Sequence, residues 1–126
     1  MTSRSTFRLA AAGAALAAAA VLPLTASASR QATVLTASVG PDTNFTISLK
    51  DASGAKVTAL KAGAYTIKVS DTASIHNFHL TGPGVNKDSG VAFKGNVTWN
   101  VTLAKGAYKF VCDPHATIMK GSFTVS

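Results

Sequence analysis

The chain has 126 residues, one cysteine, three histidines and a formal net charge of +7. That length suits one small domain, and the lone Cys112 excludes a disulfide within the molecule. The basic residues are mostly scattered lysines, with no arginine-rich run or aromatic-interleaved stripe, which argues against nucleic acid as a partner.

Arg4 and Arg8 precede an apolar, alanine-rich run from Leu9 to about Leu24, and Ala26-Ser27-Ala28 supplies small residues of the kind a signal peptidase cuts after. The pattern predicts a helical secretory signal peptide over 1–28, cleaved to leave one domain over 29–126. The apolar run is short for a membrane span, and no second one follows. Cleavage therefore predicts an exported chain with no membrane span, resident in the periplasm, the cell envelope or outside. Nine lysines and Arg30 then face five aspartates, a net charge of about +5.

The rest of the chain alternates with period 2. Phe45, Ile47 and Leu49 alternate with Thr46, Ser48 and Lys50; Tyr65, Ile67 and Val69 with Thr66, Lys68 and Ser70; Val97, Trp99, Val101 and Leu103 with Thr98, Asn100 and Thr102. Such alternation predicts strands with one buried face. Val34 to Val39, Val57 to Leu60 and Val91 to Phe93 are weaker strands, and Tyr108 to Cys112 and Ser122 to Val125 complete the set. Turn residues separate them at Asp51-Ala52-Ser53-Gly54, Ala62-Gly63, Gly82-Pro83-Gly84, Asp88-Ser89-Gly90 and Lys105-Gly106. No segment after residue 28 keeps a helical period. The expected fold is all-β: an antiparallel Greek-key β-sandwich of seven to eight strands.

Chemistry concentrates near the C-terminus, in Cys112-Asp113-Pro114-His115-Ala116-Thr117-Ile118-Met119, with His76-Asn77 upstream. If Ile75 to Leu80 is a strand, His76 shares its inward face with Phe78 and Leu80, while Asn77 and His79 point outward. Cys112 shares parity with Tyr108 and Phe110 and also points inward, at a strand end. His76, Cys112, His115 and Met119 then converge at one rim. A thiolate, two imidazoles and a weak thioether form the ligand set of a mononuclear blue copper site. Zinc gains little from a thioether, and the chain has no glutamate to act as a base at a catalytic zinc. Copper is the expected cofactor. His79, on the outer face, is expected to be a structural or a hydrogen-bonding residue.

These residues resemble the cupredoxins, within them the plastocyanin, amicyanin and pseudoazurin group. The resemblance rests on Cys112-x-Pro114-His115 followed by Met119-x-Gly121, on His76-Asn77-Phe78-His79-Leu80, and on Tyr108-Lys109-Phe110-Val111-Cys112 leading into the loop. It runs from about Phe45 to Val125. Three residues separate His115 from Met119, against two in amicyanin-like and four in plastocyanin-like loops. The resemblance implies that Asn77 ties the two ligand loops together, with Asp113 accepting a hydrogen bond from its side chain. Pro114, lacking an N–H, removes a donor to the sulfur and stiffens the loop.

The resemblance further implies a monomeric carrier of single electrons, cycling between Cu(II) and Cu(I), that docks through an apolar patch around His115. Gly82, Pro83, Pro114, Ala116 and Ile118 are the patch candidates, and the lysines suit a redox partner protein with an acidic docking face. The same four ligands also suit a periplasmic protein of copper storage, delivery or tolerance. A metal-free β-sandwich interaction module is the remaining alternative. Three histidines leave only His79 to spare, too few for a second copper centre, so an enzyme is not expected.

Overall fold

The computed structural model describes residues 13–24, 30–41 and 44–126. Among the described residues nine strands, rather than the seven to eight expected, form two facing sheets: β1 (Thr33–Val39), β2 (Ile47–Lys50), β3 (Ala59–Leu60), β4 (Gly63–Asp71), β5 (His79–Gly82), β6 (Val85–Asp88), β7 (Gly95–Leu103), β8 (Gly106–Val111) and β9 (Lys120–Val125). The first sheet runs β2-β1-β4-β7 and the second β3-β9-β8-β5-β6. The expected all-β sandwich is therefore borne out.

The alternating strands bury the residues their pattern marks. Tyr65, Ile67 and Val69 of β4 lie opposite Val101, Trp99 and Val97 of β7 in a continuous antiparallel ladder that places Leu103 opposite Gly63, and Leu35, Ala37 and Val39 of β1 extend the same inner face. The opposite sheet contributes Leu80, Tyr108, Phe110, Phe123 and Val125. Phe78 stacks on Phe110 (5.3 Å between centroids) and leans on Trp99 (6.2 Å), so aromatic contact joins the layers beneath one end of the sandwich. Asp51 closes the turn after β2 by accepting hydrogen bonds from the Ser53 and Ala55 amides.

Several local expectations are revised. Two pairings are parallel, β1 with β4 and β3 with β9, because periodicity states which face is buried and not which neighbour a strand finds. Val91 to Phe93 forms a turn rather than a strand. The strand in that region is β6, Val85-Asn86-Lys87-Asp88, an exposed edge with no alternating apolar residues to announce it. Phe45 lies outside β2 and is half exposed. Ile75 to Phe78 is a loop and turn, so the parity assigned to that stretch does not apply: His76 and Asn77 are both buried.

Residues 13–24 form no helix and are exposed, while Arg4, Arg8 and Ala26-Ser27-Ala28 lie outside the described residues. An alanine-rich run with nothing to pack against gains too little in water to hold a helix. Among the described residues no helix is long and apolar enough to cross a membrane.

Candidate metal centre

β8 delivers its last residues to one end of the sandwich, and eight residues, 112–119, turn the chain back to begin β9. The connecting loop is closed by its own backbone. His115 N–H donates to the Cys112 carbonyl (3.0 Å), Met119 N–H to the His115 carbonyl (2.8 Å) and Cys112 N–H to the Met119 carbonyl (2.9 Å). Asp113–His115 make a single 3₁₀ turn with Pro114 inside it, a position that needs no N–H from proline. The three-residue spacing between His115 and Met119 is what allows the bond from residue 119 back to residue 115. Cys112 and Met119 are fully buried.

His76 reaches the same point from the loop before β5. Its Nδ1 lies 3.1 Å from His115 Nδ1, and each of these nitrogens lies 3.5 Å from Cys112 Sγ. Two residues wall this triangle that sequence reasoning did not assign to the site. The Phe45 ring meets both imidazoles edge-on, at 5.3 Å from His76 and 4.7 Å from His115. Gly40, at φ +59°, lies against the His76 ring so closely that a Cβ there would fall 2.4 Å from Cδ2. Neither announces itself in sequence: Phe45 reads as a strand residue, and Gly40 carries no motif that marks it.

His76 is held below the usual histidine range by burial first and by the nearby charge of His115 second, against an opposing pull from Asp71. A neutral imidazole is the form that binds metal. His76 Nε2 is buried without a partner.

Asn77 joins the two loops through its side chain. Its Nδ2 donates to Asp113 Oδ2 (2.6 Å) and to Asp88 Oδ1 (2.8 Å), and its Oδ1 accepts from the Asp113 amide (2.7 Å). The hydrogen bond expected between Asn77 and Asp113 is present, and the amide bond to Asp113 makes the link two-sided. Phe78 N–H donates to Ser89 Oγ (2.8 Å), pinning the same loop to the turn after β6. His79, at the start of β5, contacts Asp113 and Asn86, as expected of a hydrogen-bonding residue.

Two of the five docking candidates are misplaced. β5 and β8 are antiparallel, so His79 neighbours Val111 while Gly82 lies beside Tyr108. The Pro83 carbonyl accepts from the Tyr108 hydroxyl, and its ring covers Gly106. Gly82 and Pro83 are therefore at the far end of the sandwich, some ~15–20 Å of strand from Cys112. The rim near His115 carries instead Pro114, Ala116 and Ile118, joined by Phe45 and Ile75, all of them exposed.

A triangle with these three sides has its centre about 2 Å from each donor, the length of a metal–imidazole bond. One sulfur and two nitrogens around such a point suit copper. A model of the copper binding proteins of the plastocyanin/azurin family matches residues 35–126.

The chain belongs to that family.

It is a type 1 copper-binding cupredoxin, and its cofactor is copper. Family membership places it among small copper proteins rather than enzymes. Solved structures of rusticyanin share the cupredoxin fold. A rusticyanin variant is 18% identical over 74% of this chain and 76% of its own, with a TM-score of 0.55. Reduced rusticyanin in the crystal is 17% identical over 74% and 78%, at 0.56, and by NMR 20% identical over 74% and 76%, at 0.52. No curated protein matches this chain in sequence.

Proposed function

We propose that this cupredoxin carries single electrons between redox partner proteins, with copper held by His76, Cys112 and His115 and with Met119 as a weak axial donor. The observation that carries the reading is the trio of two Nδ1 atoms and one Sγ, mutually within 3.5 Å and largely buried. Bound there, copper supplies a one-electron couple. The protein's part is to hold the donors in place. The backbone bonds of the 112–119 loop and the two-sided Asn77–Asp113 link fix them before any metal arrives, which lowers the reorganisation that accompanies a change of charge.

His115 is the ligand nearest solvent, ringed by Phe45, Pro114, Ala116 and Ile118. That patch is small and apolar, as suits a brief encounter. Lys94 and Lys120 lie toward the same end, so association with an acidic partner should slow as salt rises. The N-terminal pattern supports an exported, signal-cleaved chain covering 29–126, resident in the periplasm, the cell envelope or outside the cell.

Adding Cu(II) to purified protein and recording visible absorption and EPR tests the reading. The expected product is intensely coloured by a thiolate-to-copper transition, has narrow copper hyperfine splitting and cycles reversibly by one electron. Cys112→Ser abolishes the colour. A colourless product that exchanges its metal quickly would instead assign the site to copper storage or delivery, and unchanged binding in Cys112→Ser would overturn the ligand set.

A further inference from the structure

The outer face of β5 carries a group that the copper chemistry leaves unused. His79 is gripped at both ring nitrogens. Nε2 lies 2.7 Å from Asn86 Oδ1, and Nδ1 lies 2.9 and 3.1 Å from the two carboxylate oxygens of Asp113. An amide oxygen only accepts, so Nε2 carries a proton. Nδ1 facing a carboxylate at that distance must carry one too, because a bare lone pair would repel the oxygens. The geometry therefore suits an imidazolium paired with Asp113.

Asp113 in turn holds Asn77, whose side chain spans from the residue after His76 to the residue after Cys112. The chain of contacts thus runs Asn86, His79, Asp113, Asn77, and ends on both ligand-bearing loops. His79, Asp88 and Asp113 present their ligand atoms within 4.8 Å of one another. The centre of that cluster is already filled by the Asn77 NH₂ group, which donates to both carboxylates, so it reads as a completed hydrogen-bond network rather than a second metal site.

We propose that His79 is a positioning residue of the copper site: by clamping Asp113 from the outer sheet face, it locks the Asn77 bridge that holds the two ligand loops in register. The proposal rests on the copper reading for its consequence at the metal, but the clamp itself exists without metal. The charged groups around the ring are Asp113 from the loop, Asp88 opposite it on β6, and Lys109 and Lys120 on the same outer face of β8 and β9. Burial alone would depress the ring's proton affinity, but the bonds to Asn86 and Asp113 and the charges of Asp113 and Asp88 outweigh it and raise the net value. The clamp is therefore fully present below the ordinary histidine pKa of 6.5 and is lost as pH rises past the ring's raised pKa. Once neutral, the ring keeps its proton on Nε2 for Asn86 and turns a lone pair on Asp113.

Two measurements on the full-length chain test this separately. In metal-free protein, hydrogen exchange at the Asp113 amide, which donates to Asn77, should quicken about tenfold in His79→Leu and in His79→Gln. In the parent the protection of that amide, taken relative to the general rise of exchange with pH, should fall as the His79 ring, followed by NMR, loses its proton. In copper-loaded protein, the potential of the parent should fall as pH rises through that same titration, because an unpaired Asp113 carboxylate beside Cys112 favours Cu(II). A tenfold change in relative Cu(II) and Cu(I) affinity would move it by about 59 mV, and both variants should lack the step. Unchanged Asp113 exchange in a folded His79→Gln overturns the clamp whatever the metal does. Altered exchange with a flat potential in the parent overturns its link to copper. Failure to bind copper at all, with exchange altered as expected, would count against the copper reading and leave the clamp standing.

Discussion

Gly40→Ala offers the sharpest check on how the fold holds His76. Two penalties act at this position. At φ +59° an L side chain costs about 1–2 kcal/mol. The new Cβ would also fall 2.4 Å from His76 Cδ2, more than an ångström inside ordinary contact. The ring is fully buried with Phe45 on its edge, so it has little room to yield, and overpacking of that kind costs about 1–3 kcal/mol. Together the loss is about 2–5 kcal/mol, a fall in Tm on the order of 10–30 °C for a domain of this size. Gly54→Ala is the internal control. Gly54 has φ +84° with no atom within 4 Å of a built Cβ, so it suffers the backbone penalty alone. Thermal unfolding of both variants without metal, followed by Cu(II) titration, separates the terms. Gly40→Ala should be the less stable by about 1–3 kcal/mol and should bind copper with altered EPR parameters, while Gly54→Ala binds as the parent does. Equal losses of stability, with identical spectra, would refute the claim that Gly40 is glycine in order to seat His76.

Three further outcomes are expected. Phe78→Ala removes a fully buried ring stacked on Phe110 and leaning on Trp99, and should cost about 3–5 kcal/mol in denaturant unfolding. Asp71 is buried, and burial raises its pKa against the opposing Ala73 amide and the charge of His76. A carboxyl that holds its proton more tightly when folded supports the fold below its ordinary pKa of 3.8 and loses that support as pH rises through its higher folded value. Asp71→Asn should accordingly flatten the pH profile there and leave the protein at least as stable at neutral pH, as urea unfolding across that range will show. Copper at about a hundredfold excess over Kd should stabilise the fold by about 2.7 kcal/mol, raising Tm on the order of 10–20 °C. Calorimetry should find that gain missing in Cys112→Ser.

The alternation of Tyr65, Ile67 and Val69, and of Trp99, Val101 and Leu103, was enough to mark two central strands and their buried faces, because a period of two is a local property of the backbone. The ligand types were legible for the same reason: one thiol, one thioether and an imidazole close together in an eight-residue loop are a chemical statement before they are a geometric one. The stretch from Ile75 to Phe78 shows the limit. It reads as a strand, yet it is a loop whose burial comes from Gly40, Phe45 and Asp71 and from the hydrogen bonds of Asn77 and Phe78. β6 shows the converse, since an edge strand with a polar sequence pairs through its backbone and leaves no apolar trace.

By itself the amino-acid order determined an all-β chain, a donor set for one copper ion and the loop that carries most of it. Only the folded arrangement decided that β1 pairs in parallel with β4, that Gly82 and Pro83 lie at the end remote from His115, and that Phe45 and Gly40 enclose the imidazoles. The physical reason is range. Side-chain alternation and ligand chemistry act over a few neighbouring residues, whereas strand partners, the direction in which a strand points its ends, and the walls of a site arise from contacts between residues tens of positions apart.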